Sequence, residues 1–180
     1  MKKIVSFLIL TFLMLALLSV GASAEILKAG QSIDAGEVTI TVIDDGVDLW
    51  LCVTYVAGVD WKLVETHFAI ATSLGDIPQT KKGNPIPGNF LYGDDELGEY
   101  DVDGNLVGGE DSYNECILLS ELGVKVGDTV YIAAQANLLN IVDTDLEGNL
   151  LLYTETGWGE GSEFADDRNW AMYFTFTLED

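Results

Sequence analysis

Glu65 and His67 are the residues whose types and spacing come closest to a catalytic or metal-binding pair. The segment from Trp61 to Thr72 is predicted to be a β-strand, so Trp61, Leu63, Glu65 and His67 are expected on one face. A carboxylate that holds an imidazole orients a general base or a metal ligand. No serine or cysteine nucleophile stands in a recognisable motif, and such a pair is more often a structural hydrogen bond. We therefore expect ligand binding at Glu65 and His67 and no catalytic residue.

Trp158 is the second candidate, because it is flanked by glycines in the segment Gly157–Gly161. A large ring with little local chain to bury it can stack on a sugar ring, while the nearby Glu160 accepts hydroxyl hydrogen bonds. Phe90 and Tyr92, from a long connection, are expected to extend this ligand-binding patch. The alternative is that Trp158 folds back as a lid on the core.

An acid-rich connection between residues 92 and 111 offers oxygen ligands for a cation. The candidate metal ligands are Asp94, Asp95, Glu96, Asp101 and Asp103. Calcium prefers carboxylate and carbonyl oxygens, whereas runs of acids are more often a solvated surface. We expect no cofactor, with a calcium ion left open as an alternative, and a calcium-stabilised adhesion or envelope module is one alternative function.

A secreted hydrolase is the other alternative, with clustered carboxylates and His67 as its active site. Glycoside hydrolysis needs two carboxylates about 5 to 9 Å apart across a cleft. With 30 acids in the chain, some pair will meet that spacing by chance. The strand signature Glu-x-Asp-x-x-Glu of laminarinase-type enzymes is absent from the sequence. We therefore expect a protein that is not an enzyme.

The charge of the chain excludes several classes of partner. It has 30 acidic and 8 basic residues, which give a formal net charge of −22. Such a charge repels the phosphates of nucleic acids and anionic lipid surfaces. The acids are scattered among apolar residues over the whole length, unlike those of a disordered tail. The partners that remain are an extracellular glycan or a surface protein.

The first 24 residues are predicted to be a signal peptide. Lys2-Lys3 forms a basic tip, residues 4–20 are almost wholly apolar, and Ala22-Ser23-Ala24 is the small-x-small pattern of a cleavage site. At about 1.5 Å per residue, the apolar run is too short for a ~30 Å hydrocarbon core. We expect cleavage before Glu25, no membrane insertion afterwards, and one domain of residues 25–180. This domain is expected to be secreted, either extracellular or in the cell envelope.

Two cysteines, Cys52 and Cys116, lie in apolar segments that are predicted to be strands. In an oxidising compartment they most simply pair with each other, and two separate buried thiols are the alternative. One histidine and two distant cysteines do not make a usual zinc site.

Seven segments are predicted to be strands; period-two alternation of apolar and polar residues recurs among them, while helical periodicity is nearly absent. The segments are 38–42, 47–56, 61–72, 113–119, 130–138, 150–156 and 170–178. Glycine- and aspartate-rich turns separate them, and the connections 73–91, 92–111 and 157–169 are long. This pattern predicts an all-β fold, an antiparallel β-sandwich of Ig-like or jelly-roll-like type with about seven or eight strands.

Five phrases in a fixed order resemble an uncharacterised module that recurs in exported bacterial and archaeal proteins. They are Trp61–His67, Ile77–Gly88, Tyr131–Ala134, Glu155–Gly161 and Asn169–Phe174. The resemblance covers about residues 40 to 176 and implies a free-standing extracellular domain, but no activity. In the module a histidine commonly follows the Ala-Ala pair, where this chain has Gln135. The resemblance therefore gives little support to a two-histidine metal site with His67. The predicted function is a non-catalytic binding or structural module of the cell surface.

Overall fold

The computed structural model describes residues 18–144, 150–165 and 169–179, and the apolar core of the predicted signal peptide lies largely outside them. The strands in the described residues are β1 (Leu18–Ala29), β2 (Ile33–Asp44), β3 (Leu49–Ala57), β4 (Trp61–Ala71), β5 (Tyr92–Asp94), β6 (Glu99–Tyr100), β7 (Leu106–Gly108), β8 (Ser112–Leu118), β9 (Thr129–Thr144), β10 (Leu150–Gly159), β11 (Ser162–Glu163) and β12 (Met172–Thr177). One helical turn, α1 (Leu119–Leu122), ends at Gly123, whose φ of 68° suits a residue without a Cβ. No helix in the described part of the chain is long and apolar enough to cross a membrane.

Ten strands form one antiparallel sheet, which confirms the predicted all-β class. Its main path runs β11-β12-β9-β10-β1-β2-β3-β8, and β4 and β5 join it through β9. One edge of β9 pairs with β4, while its other edge pairs first with β12 and then with β10. The sheet folds over on itself, and its two layers enclose the main core in a nearly closed sandwich. Strands β6 and β7 form a separate small hairpin.

The core is built from the alternation that the sequence shows. Every second residue of β9 from Val130 to Leu138 is fully buried, and the same holds for every second residue of β2 from Val38 to Val42. The buried set of these two strands is Val130, Ile132, Ala134, Ala136, Leu138, Val38, Ile40 and Val42. Phe174, Phe176 and Leu178 close the core from the C-terminal end of the chain. Removing apolar surface from water is the main stabilising contribution of this set.

A β-bulge in β4 corrects the predicted faces of that strand. Leu63 pairs with Leu138, but the next pair is Glu65 with Asn137, so Val64 is an extra residue. An extra residue shifts the phase of the alternation. Trp61 and Leu63 therefore face the core, whereas Glu65 and His67 lie on the outer face. The prediction of one common face for these four residues is wrong for this reason.

A disulfide bond joins Cys52 of β3 to Cys116 of β8, as the sequence predicted. The two residues are directly paired across the strands, with their Cα atoms 4.0 Å apart. Cys52 is buried, while Cys116 is exposed on β8. The bond closes a sequence separation of 64 residues and holds β8, the last strand of the sheet path, to its neighbour.

Candidate functional site

The outer face of β4, β9 and β10 carries two rows of side chains that run across the strands. The first row is His67, Gln135 and Trp158, and the second row is Glu65, Asn137 and Thr156. Directly opposed residues of antiparallel strands project from the same face of the sheet. Each row therefore brings three side chains from three separate segments together, and the bulge at Val64 puts Glu65 and His67 in register with the other two strands.

Four of these side chains, with Asp95, form a continuous polar network. Gln135 Nε2 donates to Asn137 Oδ1 at 3.0 Å, and Asn137 Nδ2 donates to Glu65 Oε2 at 2.5 Å. His67 Nε2 lies 3.8 Å from Glu65 Oε2 and 3.4 Å from Asp95 Oδ1. Gln135 is only 4% exposed, so its amide is held by packing as well as by its hydrogen bond. The network fixes the orientation of the Glu65 carboxylate, and its five residues include no serine or cysteine nucleophile.

A cavity of about 400 Å³ lies beside this network. It is lined by Val64, Glu65, Asn137, Thr154, Glu155 and Thr156. Thr154 and Thr156 are exposed, so the cavity opens to solvent on the side of β10. Carboxylate, amide and hydroxyl groups provide both donors and acceptors at this wall. The arrangement suits a small ligand that has several hydroxyl groups.

Trp158 is not the exposed ring that its flanking glycines predicted. It is 5% exposed and belongs to a second apolar cluster on the outer face, with Ala69, Ile77, Ala133 and Ala171. Phe90 and Phe164 meet its ring edge-on, each at a centroid distance of 6.4 Å. Phe90 comes from the connection that follows β4, and Phe164 comes directly after β11. The ring is folded back and buried, as the alternative prediction had it. It packs in the outer apolar cluster, however, and not on the main core.

The other predicted ligand-binding residues lie apart from the cavity lining. Phe90 packs on Trp158, while Tyr92 stacks on the buried Phe68 with ring centroids 5.2 Å apart. Burial raises the pKa of Tyr92 above its ordinary value, with a smaller contribution from Glu121. The three aromatic residues therefore divide between two packed clusters and do not form one solvent-facing patch.

Glu160 lies beside a lysine beyond the end of β10. Its Oε1 is 4.0 Å from Lys28 Nζ, which also contacts Asp34 Oδ1 at 2.5 Å. The hydrogen bond to Asp34 raises the pKa of Lys28 above its ordinary value, and Glu160 adds to this effect. Glu160 is thus part of a surface ion pair, and it is not one of the residues that line the cavity beside Glu65.

Two of the acidic residues predicted to bind calcium, Asp94 and Asp101, accept hydrogen bonds within local turns. Asp101 accepts hydrogen bonds from the backbone N–H of Asp103 and Asn105, and from the Asn105 side-chain amide. The Asn105 side chain is the main cause that lowers the pKa of Asp101. Asp94 Oδ1 accepts from the Glu96 N–H at 2.8 Å. Within 18–144, 150–165 and 169–179, no group of three or more His, Cys, Asp or Glu side chains is arranged to hold a metal ion.

Sequence reasoning found half of this site and missed the other half. It identified Glu65 and His67 but assigned no role to Asn137, Thr154 or Thr156. Asn137 was visible as a polar residue on the outward face of β9, but its neighbours depend on strand order. The fold and the site together define an all-β antiparallel sandwich with a polar cavity on its outer face. In comparisons with known proteins, the chain matches no family model, no curated protein and no solved structure.

Proposed function

We propose that this chain is an exported, non-catalytic binding module that takes a polyhydroxylated ligand of the carbohydrate class in the cavity beside Glu65. The observation that carries the proposal is the lining of that cavity, where the two carboxylates of Glu65 and Glu155, an amide and two threonines from three strands converge. Asn137 already occupies one side of Glu65 Oε2. The carboxylate has further acceptor positions for ligand hydroxyls, and Thr154 and Thr156 can donate or accept.

Export is the second part of the proposal. The basic tip, the apolar run and the Ala22-Ser23-Ala24 pattern support processing by a signal peptidase. The disulfide between Cys52 and Cys116 is compatible with an oxidising compartment, where such bonds persist. The net charge of −22 disfavours nucleic acids and anionic lipids, and leaves a neutral glycan as the best-matched ligand. The resemblance to an exported surface module stays a prediction.

Ligand binding is tested by titrating a panel of neutral mono- and oligosaccharides into the protein, with isothermal calorimetry and ligand-observed NMR as readouts. We expect Glu65→Gln to weaken binding by about tenfold or more, because a hydrogen bond to a charged group contributes about 1.5–3 kcal/mol. Thr156→Val, which removes one hydroxyl at nearly constant shape, is expected to weaken binding less.

Glu163→Gln is the matched control, because Glu163 is an exposed carboxylate on β11 that does not line the cavity. It should bind as the wild type does. If no saccharide binds the wild type, or if Glu163→Gln and Glu65→Gln weaken binding equally, the proposed ligand site is wrong. The same samples are analysed for cleaved saccharide, and turnover that is lost in Glu65→Gln would favour the hydrolase alternative.

Export is tested separately by the intact mass of the protein recovered from the periplasm or medium of an expressing bacterium. A mass that corresponds to residues 25–180 supports processing before Glu25. An intact chain retained with the membrane fraction would contradict it.

A further inference from the structure

Strand β1 runs across the predicted cleavage site. It pairs with β2 from Leu18, opposite Asp44, to Ala29, opposite Ile33. Cleavage before Glu25 would divide β1 and remove the segment Leu18–Ala24, which we call the leader strand. The inference below rests on the proposed export, because it concerns the protein that such processing leaves.

The leader strand covers one edge of β2. Its partners are Thr39 to Asp44, whose other edge is already paired with β3. Without the leader strand, the backbone N–H and C=O groups along that edge would have no strand partner, and an unpaired edge is a template for another strand. Gly21 and Ser23 lie opposite Val42 and Ile40, which belong to the buried core. Processing would therefore also uncover apolar side chains.

On the side away from β2, the leader strand faces β12. Only the C-terminal end of β1, from Leu27 to Ala29, pairs with β10, and in the described residues the leader strand has register partners in β2 alone. A groove of about 270 Å³ separates Gly21–Ser23 from Thr175–Glu179. A Cβ added at Gly21 would lie 3.5 Å from Phe176 Cζ, in ordinary van der Waals contact, so the outer atoms of a longer side chain that extends in that direction would collide with the ring. The position is a slot between β2 and β12 that one extended strand occupies.

The sequence of the leader strand indicates which kind of segment the slot between β2 and β12 can hold. The leader strand, Leu-Ser-Val-Gly-Ala-Ser-Ala, carries no charge and has its smallest residue next to Phe176. An uncharged segment also avoids repulsion from a chain of strong net negative charge. We propose that processing opens a docking slot for one extended, uncharged segment of a partner protein, which adds antiparallel to β2 with a small residue at the Gly21 position. Backbone hydrogen bonds would supply affinity, and the restriction next to Phe176 would supply specificity.

The test compares chains 18–180 and 25–180, with a synthetic peptide of the leader-strand sequence as the probe. We expect 25–180 to melt several degrees below 18–180, and saturating peptide to recover most of that difference. A peptide with Gly21→Leu should bind about tenfold or more weakly, because its side chain meets Phe176. A peptide with Ala24→Leu is the matched control, since Ala24 is exposed and does not line the groove, and it should bind within about twofold of the original.

The same pair of substitutions in chain 18–180 covers the case in which 25–180 does not fold alone. There, Gly21→Leu should lower the melting temperature and Ala24→Leu should not. Equal melting of 18–180 and 25–180, no peptide binding, or a 25–180 dimer that excludes the peptide in light scattering would overturn the proposal. An exported product that does not begin at Glu25 contradicts the processing itself, whereas a correct N-terminus without peptide binding contradicts only the slot.

Discussion

Two glycines flank Trp158 on the opposite face of β10. Gly157 and Gly159 lie on the core-facing side of β10, where an added Cβ would come within 2.7 Å of Leu138 Cδ1 and 2.8 Å of Phe174 Cε1. Real Cβ atoms do not approach so closely, so these positions accept glycine alone without a shift of the core. Trp158, between them, faces the opposite side and packs in the outer cluster. The glycines are therefore packing residues of a strand, and not the flanks of a mobile loop.

We expect Gly159→Ala to destabilise the fold by about 1–3 kcal/mol, because the new methyl group overpacks a rigid ring. Gly88→Ala is the control, since no atom lies within 4 Å of a Cβ built there. Its free energy of unfolding should stay close to that of the wild type. Urea unfolding of both variants measures the difference, and equal stability would show that β10 does not pack against Phe174 in this way.

At the scale of elements, the sandwich depends on how its outlying strands are held. β8 ends the sheet path and is paired along its length with β3, and the disulfide crosses that pairing. Side chains add a second attachment, because Glu115 of β8 accepts hydrogen bonds from the Gly93 N–H at 3.1 Å and from Tyr113 Oη at 2.8 Å. Burial and the neighbouring Glu115 raise the pKa of Tyr113, so its hydroxyl stays protonated and keeps donating. These contacts connect β8 to β5, two strands that do not pair with each other in the sheet.

Loss of the disulfide should therefore lower the free energy of unfolding of the protein. For a loop of 64 residues, the chain-entropy argument gives about 4 kcal/mol. We expect the variant Cys52→Ala/Cys116→Ala, and the wild type in reductant, to lose similar free energies of unfolding. Reductant should not affect the double variant, which serves as the control. A reduced wild type as stable as the oxidised form would contradict a stabilising role for the bond.

At the scale of the whole molecule, the dominant property is charge. Thirty acids against 8 bases create repulsion throughout the folded chain. The ion pairs of Lys28 with Asp34 and Lys62 with Asp111 neutralise only a small part of it. Screening by salt shortens the range of this repulsion to about 3 Å at 1 M from about 30 Å at 0.01 M.

The melting temperature should consequently rise as sodium chloride increases from low to high concentration. Calcium chloride at matched ionic strength separates screening from a specific site. An extra rise in calcium, reversed by chelator, would support the calcium-stabilised alternative. A melting temperature that falls or stays constant across the sodium chloride series would contradict the role of repulsion.

The sequence predicted the strands well where alternation is uninterrupted. β9 alternates from Val130 to Leu138 without a break, and its faces were predicted correctly because period two fixes which residues lie together. In β4 the extra residue Val64 reversed the phase, and nothing in the local pattern marks a bulge. For the Trp158 ring the sequence left exposure and a folded-back position both open, because its burial depends on chain segments that are distant in sequence, including Ile77 and Ala133.

The sequence by itself determined that this is an all-β antiparallel protein of strong negative charge with two cysteines suited to pairing. These properties follow from composition and from local alternation, which need no knowledge of neighbours. Only the tertiary structure decided that β4, β9 and β10 lie side by side, and hence that Glu65, Asn137 and Thr156 line one cavity. Strand order is set by long-range pairing, and a site composed of one residue from each of three strands exists only once that pairing is made.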